Sequence, residues 1–188
     1  MSTLFVNNLN TASGSTITVP TGKKLVVTDT GGLAVPGTVV QQVNSADNAV
    51  TTDRTYQSTS SNSYAHMSNF DIKITPKFAS SKILYMGAFN FYGASGAGYC
   101  YMQLYQHIAG GSATPVAKNT TSGSAAITIQ TYMQVPIIHM LSPNTTNEIT
   151  YKIYTRSNSG SASVYVGWNS SAGSLDNCTN FCALEIAQ

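Results

Sequence analysis

The stretch Tyr99-Cys100-Tyr101-Met102-Gln103-Leu104-Tyr105-Gln106-His107-Ile108 decides the fold. Cys100, Met102, Leu104 and Ile108 fall on one side of an extended chain, and Tyr99, Tyr101, Gln103, Tyr105 and His107 on the other. Successive side chains of a strand point to opposite faces, so this period of two predicts a β-strand with one face in a core. A helix would scatter the same residues around its circumference.

The period recurs on both sides of that stretch. Upstream, Phe70 to Thr75 alternates and stops at Pro76, and Lys82 to Tyr92 is apolar on both sides for much of its length, as a central strand would be. The glycines of Gly93 to Gly98 then predict a hairpin loop. Downstream, Ala125 to Leu141 sets Ile127, Ile129, Met133, Val135 and Ile137 against Thr128, Gln130, Tyr132 and Gln134. Pro136 cannot donate to a ladder, so a bulge or strand switch is expected there. Ile149 to Arg156 places Ile149, Tyr151 and Ile153 inward and Thr150, Lys152, Tyr154 and Arg156 outward. Val164, Val166 and Trp168 line one face of the next strand, and Cys182, Leu184 and Ile186 one face of the last. Thr38 to Val43 adds another strand, and the polar stretch Asn44 to Ser63 holds a weak edge strand around Thr52 to Gln57. No useful length shows a 3.6-residue period. The expected class is all-β, an antiparallel β-sandwich or jelly roll.

Composition agrees. Only 9% of the 188 residues are charged, against about 25% in ordinary soluble domains. The 23 Ser, 23 Thr, 15 Asn and 15 Gly stand where charge would, and 42% hydrophobic residues suffice for a core. Helix-rich surfaces need the Glu, Lys and Arg that are scarce here. A net charge of +2 from dispersed basic residues does not supply the phosphate contacts of a nucleic-acid binder. No run approaches the ~18 apolar residues of a membrane helix, and Met1 to Asn8 has no secretory signal pattern, so synthesis in the cytoplasm is expected. Cys100, Cys178 and Cys182 are an odd set without metal-ligand spacing, so no disulfide framework, metal or cofactor is expected.

Residues 1–37 differ from residues 38–188. Their short apolar pieces, around Leu4 and Val6, Ile17 and Val19, and Leu25, are separated by turn residues. Such pieces cannot bury a face alone and need copies of themselves or a partner to dock on. They form a candidate anchor, and 38–188 a head domain. The second face of the head strands is unusual in content: Tyr99, Tyr101, Gln103, Tyr105, Gln130, Tyr132, Gln134 and Tyr154. Tyrosine and glutamine with little charge fit a subunit interface, a sugar-stacking surface or an ordinary β surface.

Catalytic residues are few. His66 reads as a surface histidine in a polar loop, and His107 and His139 end strands on different faces. No nucleophile elbow, phosphate-binding loop or zinc-protease signature occurs. A carboxylate pair for glycoside cleavage is a remote alternative. The expectation is a non-enzyme.

The segment Asp71-Ile72-Lys73-Ile74-Thr75-Pro76-Lys77-Phe78-Ala79-Ser80-Ser81-Lys82-Ile83-Leu84 resembles a recurring phrase of tailed-phage virion proteins, especially those of marine and cyanobacterial phages. Leu141-Ser142-Pro143-Asn144-Thr145-Thr146 before Ile149 to Ile153, and Ala183-Leu184-Glu185-Ile186, are similar to later phrases of that family. The opening pieces Leu4 to Asn7 and Ile17 to Gly22 look like its N-terminal phrases. The resemblance implies a short, usually trimeric fibre with a β-sandwich head, located in the virion and held to a tail or capsid protein by residues 1–37. In that reading Pro76, Ser80, Ser81 and Lys82 form a turn, and Glu185 pairs with Lys82 or Lys152. Host attachment, with glycan recognition by loops carrying Ser95, Asn119, Trp168 and Asn169, is the expected function. A capsid decoration (cement) protein is the alternative, and a polysaccharide depolymerase a lesser one. No catalytic residue carries over.

Overall fold

Alternating sequence becomes alternating burial. In the computed structural model, which describes residues 21–22, 35–45, 56–94, 99–116, 125–127, 132–167 and 180–188, the strands are β1 (Val39–Asn44), β2 (Gln57–Thr59), β3 (Ala65–Ile74), β4 (Lys82–Gly93), β5 (Cys100–Ile108), β6 (Thr114–Pro115), β7 (Ala125–Ile127), β8 (Tyr132–Leu141), β9 (Ile149–Ser157), β10 (Val164–Val166) and β11 (Asn180–Ile186). The side chains of 125–127, 132 and 133 are outside this description, as are all the candidate anchor residues Leu4, Val6, Ile17, Val19 and Leu25.

Every described pairing is antiparallel, and the strands form two sheets. The first sheet has the order β1-β11-β4-β10-β2, with β8 on the other edge of β4. The second runs β3-β9-β5-β6, with β7 also on β5. Their inner faces meet in one core. Phe70 of β3 lies edge-on to Phe89 of β4 with ring centroids 5.9 Å apart, and Tyr85 of β4 faces Tyr151 of β9 at 5.6 Å. Phe89 in turn stacks on Phe181 of β11 at 5.6 Å. The protein is an all-β antiparallel sandwich, as the periodicity predicts.

Local expectations are corrected in four places. The segment after β4 is not a hairpin: β4 pairs with β8, β10 and β11, and β5 with β6, β7 and β9, so the chain crosses between sheets there. The single strand expected over 125–141 is two strands, β7 in the second sheet and β8 in the first. The switch therefore precedes residue 132. The register from Tyr132 to Leu141 runs unbroken past Pro136, which is tolerated because β8 is an edge strand among the described residues. The weak edge strand runs past its expected end, over Gln57–Thr59 (Thr52 to Thr55 lie outside the described residues), and caps the irregular middle of β3: the Gln57 amide bonds Ser68 Oγ at 3.0 Å and accepts from Asn69 N–H at 2.9 Å. The connection between β5 and β6, residues 109–113, puts Ala109 at φ 51° and Gly110 at φ 71°, a left-handed pair closed by the Gly111 N–H on the Ile108 carbonyl at 2.9 Å.

The fourth correction concerns β11. Its core face is Phe181, Ala183 and Glu185, all buried, whereas Cys182, Leu184 and Ile186 are half-buried on the outer face. A shift of one residue exchanges the two faces of a strand. Glu185 can point inward because its carboxylate is met there. It accepts from Lys77 N–H at 2.9 Å, Phe78 N–H at 3.1 Å and the Gln41 amide at 2.6 Å. Gln41 also donates to the Thr75 carbonyl at 2.7 Å. The expected pairing of Glu185 with Lys82 or Lys152 is replaced by this capping of the β3–β4 turn. Burial alone would raise the Glu185 pKa, but the donors from Lys77, Gln41 and Phe78 outweigh it and hold the carboxyl below its ordinary value.

Candidate functional site: two unlike outer faces

The outer face of the second sheet carries rings and charges. Cross-strand partners fix its rows: Tyr101 opposite Arg156, Gln103 opposite Tyr154 with His66 beyond it, and Tyr105 opposite Lys152. Tyr154 is held between His66 (ring centroids 5.2 Å apart, stacked) and Tyr105 (4.2 Å). Tyr64 lies 6.2 Å from Tyr105. The Arg156 guanidinium sits over Tyr101 at 4.2 Å and over Tyr64 at 5.3 Å. Such contacts make a firm, amphipathic surface rather than a loose polar one.

Acid and base groups are knitted into it. Asp71, nearly buried, accepts from His66 Nε2 at 2.7 Å and lies 3.8 Å from Lys152. His66 thus belongs to strand β3 and to a hydrogen bond with Asp71, not to the loop expected for it. His107 Nδ1 donates to the Gly111 carbonyl at 3.0 Å, which leaves Nε2 free to accept, 3.5 Å from the Tyr154 hydroxyl. Partial burial and then the positive charge of Lys152 press His107 below the ordinary imidazole value. Burial raises the hydroxyls of Tyr105 and Tyr154, so both remain proton donors at neutral pH. His139 lies on β8 in the other sheet.

The outer face of the first sheet carries an apolar patch. Ile138, Met86 and Cys182 form one cross-strand row, and Met140, Leu84 and Leu184 the next. Ile138 is 63% exposed and Met140 52%. Beside them Met86, Ala88, Pro136, Ile138 and Cys182 line a groove of about 550 Å³, with Asn44 and Asn180 among its polar lining. Sequence reading assigned Cys182 and Leu184 to the core and so missed this surface. The polar face could be found from the sequence because tyrosines repeat at every second residue.

The tyrosine and glutamine residues singled out in the sequence do not form one patch. Tyr99, Tyr101, Gln103, Tyr105 and Tyr154 gather on the second sheet, Tyr99 being 55% exposed and Gln103 only 8%. Gln134 lies exposed on the first sheet, opposite Asn90, and Tyr132 lies on that same strand, opposite Tyr92. Gln130 and the loop residues Ser95, Asn119, Trp168 and Asn169 fall outside the described residues.

No family model matches the sequence, and no curated protein matches it. Among solved structures, the chain is similar to the infectious bursal disease virus VP2 subviral particle, with 13% identity over 78% of this chain and 32% of that chain, TM-score 0.44. It is also similar to the Gt strain of that virus, with 14% identity over 79% of this chain and 38% of that one, TM-score 0.42. The chain spans about a third of the length of those chains.

Proposed function

We propose that the chain is a virion structural protein of the short-fibre kind, not an enzyme, whose sandwich packs through the first sheet's outer face against like chains. The observation that carries this reading is the pair of apolar rows that leave Ile138 and Met140 more than half exposed in a single chain. Exposed apolar rows of this kind mark association surfaces. The phage-virion phrases in the sequence supply the setting. The finer parts of the reading are a homotrimer, an anchor in residues 1–37 that docks on a tail or capsid protein, and attachment to a host surface. Weak sites repeated on a trimer, and trimers repeated on a particle, would give avidity without tight single sites.

The experiment is light scattering of the purified protein and of Ile138→Asp/Met140→Asp. Burying each side chain is worth about 1.5–3 kcal/mol, so the double variant should associate at least about 100-fold more weakly while melting near the parent temperature. A parent protein that stays monomeric at micromolar concentration refutes the association. Labelled particles imaged by electron microscopy decide between tail and capsid, and absence of label from particles refutes the virion setting.

A further inference from the structure

Arg156 is the one feature of the polar face that its surroundings leave incomplete. Its guanidinium lies between aromatic rings, with Tyr101 at 4.2 Å and Tyr64 at 5.3 Å. Of its five N–H donors, Nη1 reaches the Asn62 carbonyl at 3.4 Å, while Nε is buried with no partner among the described residues. No carboxylate of the described residues lies within ion-pair distance of it: Asp71 is taken by His66 and Lys152, and Glu148 by Lys73 at 3.1 Å. An arginine set over two aromatic rings, with no counter-ion among the described residues, is prepared for a planar or trigonal anion.

The ring that could carry the rest of a ligand is Tyr99, two residues before Tyr101, the cross-strand partner of Arg156. Tyr99 precedes β5 by one residue, is 55% exposed, and its carbonyl accepts from Asn158 N–H at 2.8 Å, two residues from Arg156. An exposed tyrosine face beside a cation suits a ring with an apolar side and a charged substituent.

We propose that the Arg156 corner of the second sheet binds a pyranose bearing a carboxylate or a sulfate, the guanidinium taking the anion and Tyr99 the sugar ring. This deepens the attachment part of the proposed function and rests on it for its biological meaning. It also differs from recognition of neutral sugars by loop tips, because the site lies on strands and selects charge.

The test is affinity electrophoresis of the full chain in alginate, dextran sulfate, neutral dextran and polyglutamate, at about 0.15 M salt to suppress long-range attraction. Mobility should fall in alginate or dextran sulfate, which separates the carboxylate from the sulfate, and should not fall in dextran or polyglutamate. Arg156→Gln and Tyr99→Ala should each weaken the retained polymer about tenfold, with melting curves close to the parent. Lys77→Gln removes one exposed charge elsewhere and should leave binding unchanged. Absence of retardation, equal retardation in dextran or polyglutamate, persistence in Arg156→Gln, or equal loss in Lys77→Gln each overturns the proposal. Labelling of particles is read separately: a chain located on the virion that ignores acidic sugars overturns this site and leaves the structural role standing.

Discussion

Replacing Glu185 by glutamine changes one oxygen for an NH2 group and tests how the β3–β4 turn is held. The carboxylate accepts from the Lys77 and Phe78 N–H groups and from the Gln41 amide. Glutamine keeps one acceptor but turns a donor toward other donors. A hydrogen bond to a charged group contributes about 1.5–3 kcal/mol, and a buried donor left unmet costs about 1–3 kcal/mol. Losing one such bond outright and weakening the others gives an expected loss of about 2–4 kcal/mol at pH 7. For a chain of this size that is a fall in Tm of roughly 5–15 °C. Urea unfolding of both proteins across pH measures it. The folded pKa of Glu185 lies below its unfolded value, so its contribution is complete above the unfolded pKa and is lost as pH falls through the folded one. Glutamine does not titrate. The two stability curves should therefore be furthest apart near neutrality and converge in acid. A variant within about 0.5 kcal/mol of the parent at pH 7 refutes the capping role, and so does a gap that does not narrow below the unfolded pKa.

Three other substitutions probe the core and a turn. At Gly87 a Cβ would come within 2.5 Å of the Phe89 ring and 3.1 Å of Phe181 Cβ, so Gly87→Ala should destabilise by about 1–3 kcal/mol, read as a lower urea midpoint. Ala109 holds φ 51° beside Gly110, and Ala109→Gly should raise stability by about 0.5–1 kcal/mol, since the left-handed conformation costs alanine more than glycine; an unchanged or lower midpoint contradicts this. The hydroxyls of Tyr85 and Tyr151 are buried without partners among the described residues. Tyr85→Phe and Tyr151→Phe should therefore be neutral or stabilising by up to about 1 kcal/mol, and a clear loss in either melt would reveal a partner for that hydroxyl.

The strands were legible wherever one face is wet and the other dry. In β5 and β9 the inward set Cys100, Met102, Leu104, Ile149, Tyr151 and Ile153 is wholly buried, as alternation says it must be. Alternation fails in β11 because both faces are covered or apolar: Leu184 and Ile186 compete with Phe181 and Ala183, and a buried glutamate looks like an outward residue until its donors are known. Those donors are the backbone N–H groups of residues 77 and 78 and the amide of Gln41, more than a hundred positions away, and no local pattern encodes them. The strand switch before β8 was misplaced for a related reason. Proline is a strong local signal, but an edge strand accepts it, and edge status depends on pairing that sequence does not display. The polar face was half legible: alternation found its tyrosines, yet only the sheet assignment separates Gln134 from Tyr154 and brings Arg156 to Tyr101.

The place of β11 has a consequence for how the molecule is made. It lies between β1 and β4, and it carries the carboxylate that closes the β3–β4 turn. While residues 180–186 are still unsynthesised, β1 has no neighbour in its sheet among the described residues, and one edge of β4 along 82–88 lacks its described partner. β1 and β4 thus wait on a segment made well after them, and the open edge is a template for pairing with the wrong chain. The appearance of residues 180–186, rather than of the early strands, becomes the moment of commitment. Chains cut before residue 180 are expected in the insoluble fraction, not as smaller folded heads.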